Sequence, residues 1–190
     1  DAANLQRGLK VIEGNYARTV SKGRLSQADM DKRMALITPT EDFDELGDGD
    51  IVIEAVYENL DLKKEIFGKL DKVMKPGAIL ATNTSGLDVD AIAAMTTRPD
   101  HVCGMHFFSP ANVMRLLEVV RGKDSSPAVL GTAMALGKRL GKVSVVAGNC
   151  PGFIGNRMLG GYTRQASMMI LEGATPAQID KVIFDFGLAM

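Results

Sequence analysis

Tryptophan is absent from this chain, and its 190 residues include only two cysteines and two histidines. Cys103 and Cys150 lie far apart with no CxxC spacing. That argues against a disulfide framework and for buried thiols in a reducing setting. Two histidines without a Cys/His cluster argue against a zinc or iron site, and no metal is expected. No apolar run approaches the roughly 18 residues of a membrane span. Neither sign of charge dominates, since 22 Lys and Arg face 23 Asp and Glu for a formal net charge of −1. No overall field therefore draws the chain to nucleic acid or to an anionic membrane. Repeats and low-complexity segments are absent too. So is the GxGxxG dinucleotide fingerprint. "GTAMALGKR" is not a phosphate loop, because Gly131 and Gly137 are one residue too far apart and Arg139 stands where Ser or Thr belongs. "GDGDIV" precedes a strand instead of following one. The chain starts without Met and shows no signal peptide, so a fragment of a longer protein is expected, and missing targeting signals carry no weight.

What is present is an ordinary globular balance, 46% hydrophobic and 24% charged. Leu5, Leu9, Ile12, Tyr16 and Val20 share one helical face within residues 2–22. Ser26 caps a shorter helix. Strands are expected over 51–57 and 78–82, in "HVCGMHFF" and "RLLEVVRG", and in "KVSVVA". Helices are expected after Asn59, after Ser85, over 126–140, from Pro151 or Gly152 to Glu172, and after the Thr175 N-cap with Pro176 at N1. This alternation predicts an α/β fold: a Rossmann-like, largely parallel sheet with helices on both faces, then the start of an all-helical segment. The boundary is expected at 148/149, between a first domain over 1–148 and a helical one over 149–190.

Three placements suggest chemistry. A hairpin centred on Asn112 sets His106 opposite Glu118, six residues either side. In an antiparallel pair the two side chains would touch, and a carboxylate beside an imidazole fixes its tautomer and raises its basicity. A solvated hairpin with incidental His and Glu is the plainer account. Second, Glu58-Asn59 and Asn83-Thr84-Ser85 end neighbouring strands on the rim where open α/β sheets take ligands. Helix capping alone would also place such residues there. Third, Asn156 shares a helix face with Phe153 and Leu159, as a ligand contact or a helix–helix contact would require.

"DIVIEAVYENLDLKKEIF", "ILATNTSGLDVDAIA", "GMHFFSPANVMRLLEVVRG" and "CPGFIGNRML" occur in this order, and together they resemble the L-3-hydroxyacyl-CoA dehydrogenases of fatty-acid β-oxidation. "GNCPGFIGNRML" and "FDFGLAM" look most like the dehydrogenase part of the multifunctional hydratase/dehydrogenases. The resemblance implies NAD as cofactor and an L-3-hydroxyacyl-CoA as substrate, oxidised to the 3-ketoacyl-CoA. It implies His106 as general base, Glu118 as its partner, and Ser85 and Asn156 as contacts to the reacting oxygen. Cofactor contacts map to Val56, Tyr57, Glu58, Lys63, Ser85 and Ser109. Ser109 stands where the family usually has Asn, and Gly86 where Ser or Thr is common. A basic face at Lys10, Arg18, Lys22 and Arg24 could meet coenzyme A phosphates, although a solvated helix face is as good an account. The family's glycine loop precedes the segment seen here, so the 190 residues alone are expected to hold NAD weakly or not at all. Asp1 falls just past the family's ribose-binding acid and receives no role. A homodimer through the helical segment, and a bacterial cytoplasmic or peroxisomal setting, are further implications. The alternatives are a dehydrogenase of free 3-hydroxyacids or sugar acids, and a non-catalytic helical binding module with residues 2–36 as a helix-turn-helix.

Overall fold

A computed structural model describes residues 2–188; Asp1, Ala189 and Met190 lie outside the described residues. Chain contacts separate at 48/49 into two compact units. In the first, α1 (Ala2–Ser21) packs against α2 (Gln27–Met34), which Ser26 caps through Asp29 N–H. The Arg33 guanidinium lies 5.7 Å from the Tyr16 ring centroid, and among this unit's described residues only Met30 is buried. Lys10, Arg18, Lys22 and Arg24 are all exposed.

The second unit holds a five-stranded sheet in the order β1 (Ile51–Glu54), β2 (Ile79–Thr82), β3 (Val102–Phe107), β4 (Leu116–Arg121), β5 (Val143–Gly148). β1, β2 and β3 run parallel, β4 turns back against β3, and β5 runs parallel to β4. Side chains alternate between faces. Ile79, Ala81, Cys103, Met105, Leu117 and Val119 form one core with Val129 and Ala133 of α5 (Pro127–Arg139). On the other face, Leu80 pairs with Val102, Thr82 with Gly104, Gly104 with Val120 and His106 with Glu118. α3 (Leu60–Val73) and α4 (Val89–Ala93) cover that face, with Phe67, Leu70, Val89 and Ile92 buried. Helices therefore lie on both faces, as expected. Burial on both sides explains why "HVCGMHFF" reads as a continuous apolar run and not as an alternating one.

Two boundaries beside the rim differ by three residues or more from the sequence-based expectation. β1 stops at Glu54 and not at residue 57, because the Glu54 carboxylate accepts the Val56 N–H at 2.6 Å and takes the chain out of the ladder. α6 (Gly155–Leu171) starts at Gly155 and not at Pro151 or Gly152. Gly152 (φ 73°) and Phe153 (φ 47°) are left-handed, so no helix can run through them. α7 (Pro176–Phe186) opens with Thr175 and Gln178 in a reciprocal capping box.

Gly104 fills a position with no room for a side chain, since a Cβ there would lie 2.6 Å from Val120 Cβ and 2.9 Å from Val120 Cγ2, the second of which alanine at 120 would remove. Gly104→Ala should destabilise the unit by about 1–3 kcal/mol through overpacking, and Val120→Ala should recover part of that loss. Denaturant unfolding of the two variants checks it; an unchanged midpoint for Gly104→Ala would mean the sheet yields there freely.

Candidate active site

β3 and β4 pair in the register expected from the hairpin, and His106 faces Glu118. His106 Nδ1 lies 2.7 Å from Glu118 Oε2, with His106 5% and Glu118 0% exposed. A carboxylate can only accept, so Nδ1 carries the proton and Nε2 keeps its lone pair. Two rings hold the imidazole in place: Phe108 at 4.4 Å and Phe153 at 5.8 Å between centroids.

The second carboxylate oxygen is equally occupied. Glu118 Oε1 accepts Ile154 N–H at 3.1 Å and Gly155 N–H at 2.7 Å. These are first-turn donors of α6, which no side chain of its own N-cap satisfies. The anion sits at the positive end of a 17-residue helix, where the macrodipole favours it. A Cβ at Gly155 would come within 2.9 Å of Phe108 Cζ, so glycine lets α6 start against the ring that packs on His106. The segment leading to α6 is tied down as well. Asn149 Oδ1 accepts Val89 N–H at 3.1 Å and its amide donates to Asp88 Oδ1 at 2.7 Å.

Beside the dyad lies the rim formed by the carboxyl ends of β1 and β2. Glu58 Oε1 accepts Thr84 Oγ1–H at 2.6 Å, Ser85 N–H at 2.7 Å and Ser85 Oγ–H at 3.0 Å. Asn156, second residue of α6, donates to the Ser85 carbonyl at 3.3 Å. Contacts therefore run from Glu58 through Ser85 and Asn156 to Gly155, Glu118 and His106. Asn83 Oδ1 accepts Phe107 N–H at 2.8 Å and closes the rim on the β3 side. Lys63 is buried, not on the helix surface. Its Nζ donates to Glu54 Oε1 at 2.8 Å and Val56 O at 3.3 Å, and pairs with Glu58 Oε2 at 3.5 Å.

Of the expected residues, His106, Glu118, Ser85, Asn156, Glu58 and Lys63 thus belong to one connected set, and Val56 joins it through its backbone. Tyr57 stands 87% exposed beside that set, and Ser109 is exposed at the head of the β3–β4 loop. Glu54 and Thr82 were not anticipated, although a lone carboxylate inside the apolar run "IVIEAV" stands as Glu118 does inside "LLEVV". Among the described residues, no group of three or more His, Cys, Asp or Glu side chains could hold a metal ion. No helix among them is long and apolar enough to cross a membrane.

Residues 1–150 match the NAD binding domain of 3-hydroxyacyl-CoA dehydrogenase, and residues 152–190 match the C-terminal domain of the same family. The chain belongs to the 3-hydroxyacyl-CoA dehydrogenase family. It is 52% identical over 186 residues to a peroxisomal bifunctional enzyme of Danio rerio, covering 98% of this chain and 25% of that protein. It is 45% identical to a peroxisomal fatty acid beta-oxidation multifunctional protein of Arabidopsis thaliana, covering 98% of this chain and 26% of the relative. The chain thus spans about a quarter of the length of these curated relatives. Among solved structures, an (S)-3-hydroxybutyryl-CoA dehydrogenase from Ralstonia eutropha superposes with a TM-score of 0.94 at 37% identity, covering 96% of this chain and 65% of that one. The fold is thus that of a 3-hydroxyacyl-CoA dehydrogenase: a Rossmann-like, mostly parallel sheet with helices following it.

Glu58 makes the rim acid-sensitive. Partial burial works to raise its pKa, but the hydrogen bonds from Thr84 and Ser85 and the Lys63 charge outweigh it and hold the group below its ordinary 4.5. A carboxylate with a depressed folded pKa contributes stability above its unfolded value and loses it as pH falls through the folded one. The stability difference between wild type and Glu58→Gln should therefore be present at pH 7 and shrink steadily below about pH 4.5. Urea titrations of both proteins across that range measure it, and a pH-independent difference would contradict the assignment.

Proposed function

We propose that this chain carries the reaction centre of an NAD-dependent L-3-hydroxyacyl-CoA dehydrogenase of fatty-acid β-oxidation. The observation that carries this reading is the buried carboxylate at Nδ1 of His106, which leaves Nε2 as the basic atom. Nε2 takes the proton of the substrate 3-hydroxyl while the C3–H electron pair leaves as hydride and the C3–O bond becomes a carbonyl. Positive charge then develops on the imidazole, and Glu118 stabilises it from the far side of the ring without moving. Ser85 and Asn156 would contact the substrate oxygen and orient the acyl chain.

The rim suits NAD. Exposed Val56 and Tyr57 offer apolar surface at the carboxyl end of β1, the place where α/β sheets take dinucleotides. Glu58, Ser85 and Ser109 supply polar contacts beside them, and Lys63 acts from within. NAD, when bound, supplies the hydride acceptor. The division into a cofactor domain over 1–148 and a helical domain over 149–190 is part of the same proposal. So are an acyl-CoA substrate, a peroxisomal or bacterial cytoplasmic setting, and a homodimer through the helical segment. The exposed Met168, Met169, Ile170, Leu171, Phe184 and Phe186 of α6 and α7 support that last point.

In the enzyme, His106→Gln should lower kcat by about 10²–10⁴-fold, the usual range for removing a general base. The KM for the hydroxyacyl-CoA should change by far less. Steady-state kinetics with a 3-hydroxyacyl-CoA and NAD test it; a variant impaired only in KM would remove His106 from the proton-transfer role.

A further inference from the structure

We infer that the buried Glu54–Lys63 pair is a positioning device for the cofactor edge of the site, and that Glu54 is its key residue. This rests on the reading of the β1–β2 rim as the cofactor side. Both groups are withdrawn from water, Glu54 at 4% and Lys63 at 0% exposed. Ion pairs this deep are a poor way to gain stability, because desolvation offsets their attraction. Their geometry gives another purpose. Glu54 Oε1 accepts the Val56 N–H at 2.6 Å, and Lys63 Nζ donates to the Val56 carbonyl at 3.3 Å. The polar groups of one residue, Val56, are thus gripped from both ends of one ion pair, where the strand ladder no longer holds them. Glu54 Oε2 accepts Thr82 Oγ1–H at 2.8 Å, which ties the grip to β2. The third Lys63 contact is Glu58 Oε2 at 3.5 Å. Glu58 in turn holds Thr84 and Ser85. One buried pair thereby sets the positions of Val56, Glu58 and, through Glu58, Ser85. With its side chain 1% exposed, Lys63 holds the turn from within.

The test uses three variants of the full-length enzyme, glycine loop included. Glu54→Leu/Lys63→Met replaces the pair by apolar groups of similar size, which commonly preserves or improves stability. Its unfolding temperature should stay near wild type, while the KM for NAD rises about tenfold or more and kcat changes only a few-fold. Glu54→Asp keeps the charge and leaves Lys63 intact but draws the carboxylate back by one methylene, so it should also raise that KM. Glu54→Gln keeps the reach and should be the mildest of the three. A KM for NAD within twofold of wild type in Glu54→Asp, or in a stable double variant, would reduce the pair to a structural role and overturn the inference. Calorimetric titration with NAD should show the same order of affinities. Because that readout does not involve turnover, a wild type that binds NAD but oxidises no hydroxyacyl-CoA would refute the proposed function while leaving the positioning role decided by the titration.

Discussion

The carboxylate of Glu118 is the constraint from which the site is built. It has no exposed surface, and taking such a group out of water costs several kcal/mol. That cost is tolerable only if both oxygens are fully used. One oxygen faces the imidazole, and the other accepts two backbone N–H groups of α6. Hydrogen bonds to a charged group contribute about 1.5–3 kcal/mol each, so the three together are of the right size to offset burial. The strand pair, the helix start and the imidazole are therefore not independent. Moving α6 would strip the carboxylate of two donors, and losing the carboxylate would leave those donors and Nδ1 unpaired.

The same logic appears again one strand-edge away. Glu54 is buried at the carboxyl end of β1, and its oxygens are taken by Val56 N–H, Lys63 and Thr82. In both places a carboxylate inside an apolar strand ties the sheet to a neighbouring helix, α6 in one case and α3 in the other. Both lie where ligands gather in such folds. Side chains on this rim are held in place before any ligand arrives, which is what electrostatic stabilisation of a developing charge requires.

Much of this was legible in the sequence. The β3–β4 register followed from counting outward from Asn112, and the caps at Ser26 and Thr175 followed from residue type. The two boundaries that differed share a cause, which is that side chains and backbone strain override local pattern. "IVIEAVY" reads as seven strand residues, yet the Glu54 side chain competes for the Val56 N–H and ends β1 early. Pro151-Gly152 looks like a helix start, yet left-handed Gly152 and Phe153 delay it until Glu118 can cap Gly155. That cap comes from 37 residues away, and no local signal announces it. Lys63 was readable as part of the cofactor rim by resemblance. Its burial was not, since helical periodicity does not reveal that two carboxylates wait beneath.

The proposed proton transfer depends most directly on which imidazole nitrogen of His106 is protonated. With Glu118 accepting at Nδ1, the neutral ring must carry its proton there and leave Nε2 bare. Nitrogen-15 NMR of the histidine-labelled enzyme, at a pH where the ring is neutral, reads the two nitrogens separately. His106 should show a protonated Nδ1 and an unprotonated Nε2, reversed in Glu118→Gln, whose amide can donate to Nδ1. A wild-type ring protonated at Nε2 would contradict the proposed transfer, because the atom assigned to take the hydroxyl proton would already hold one.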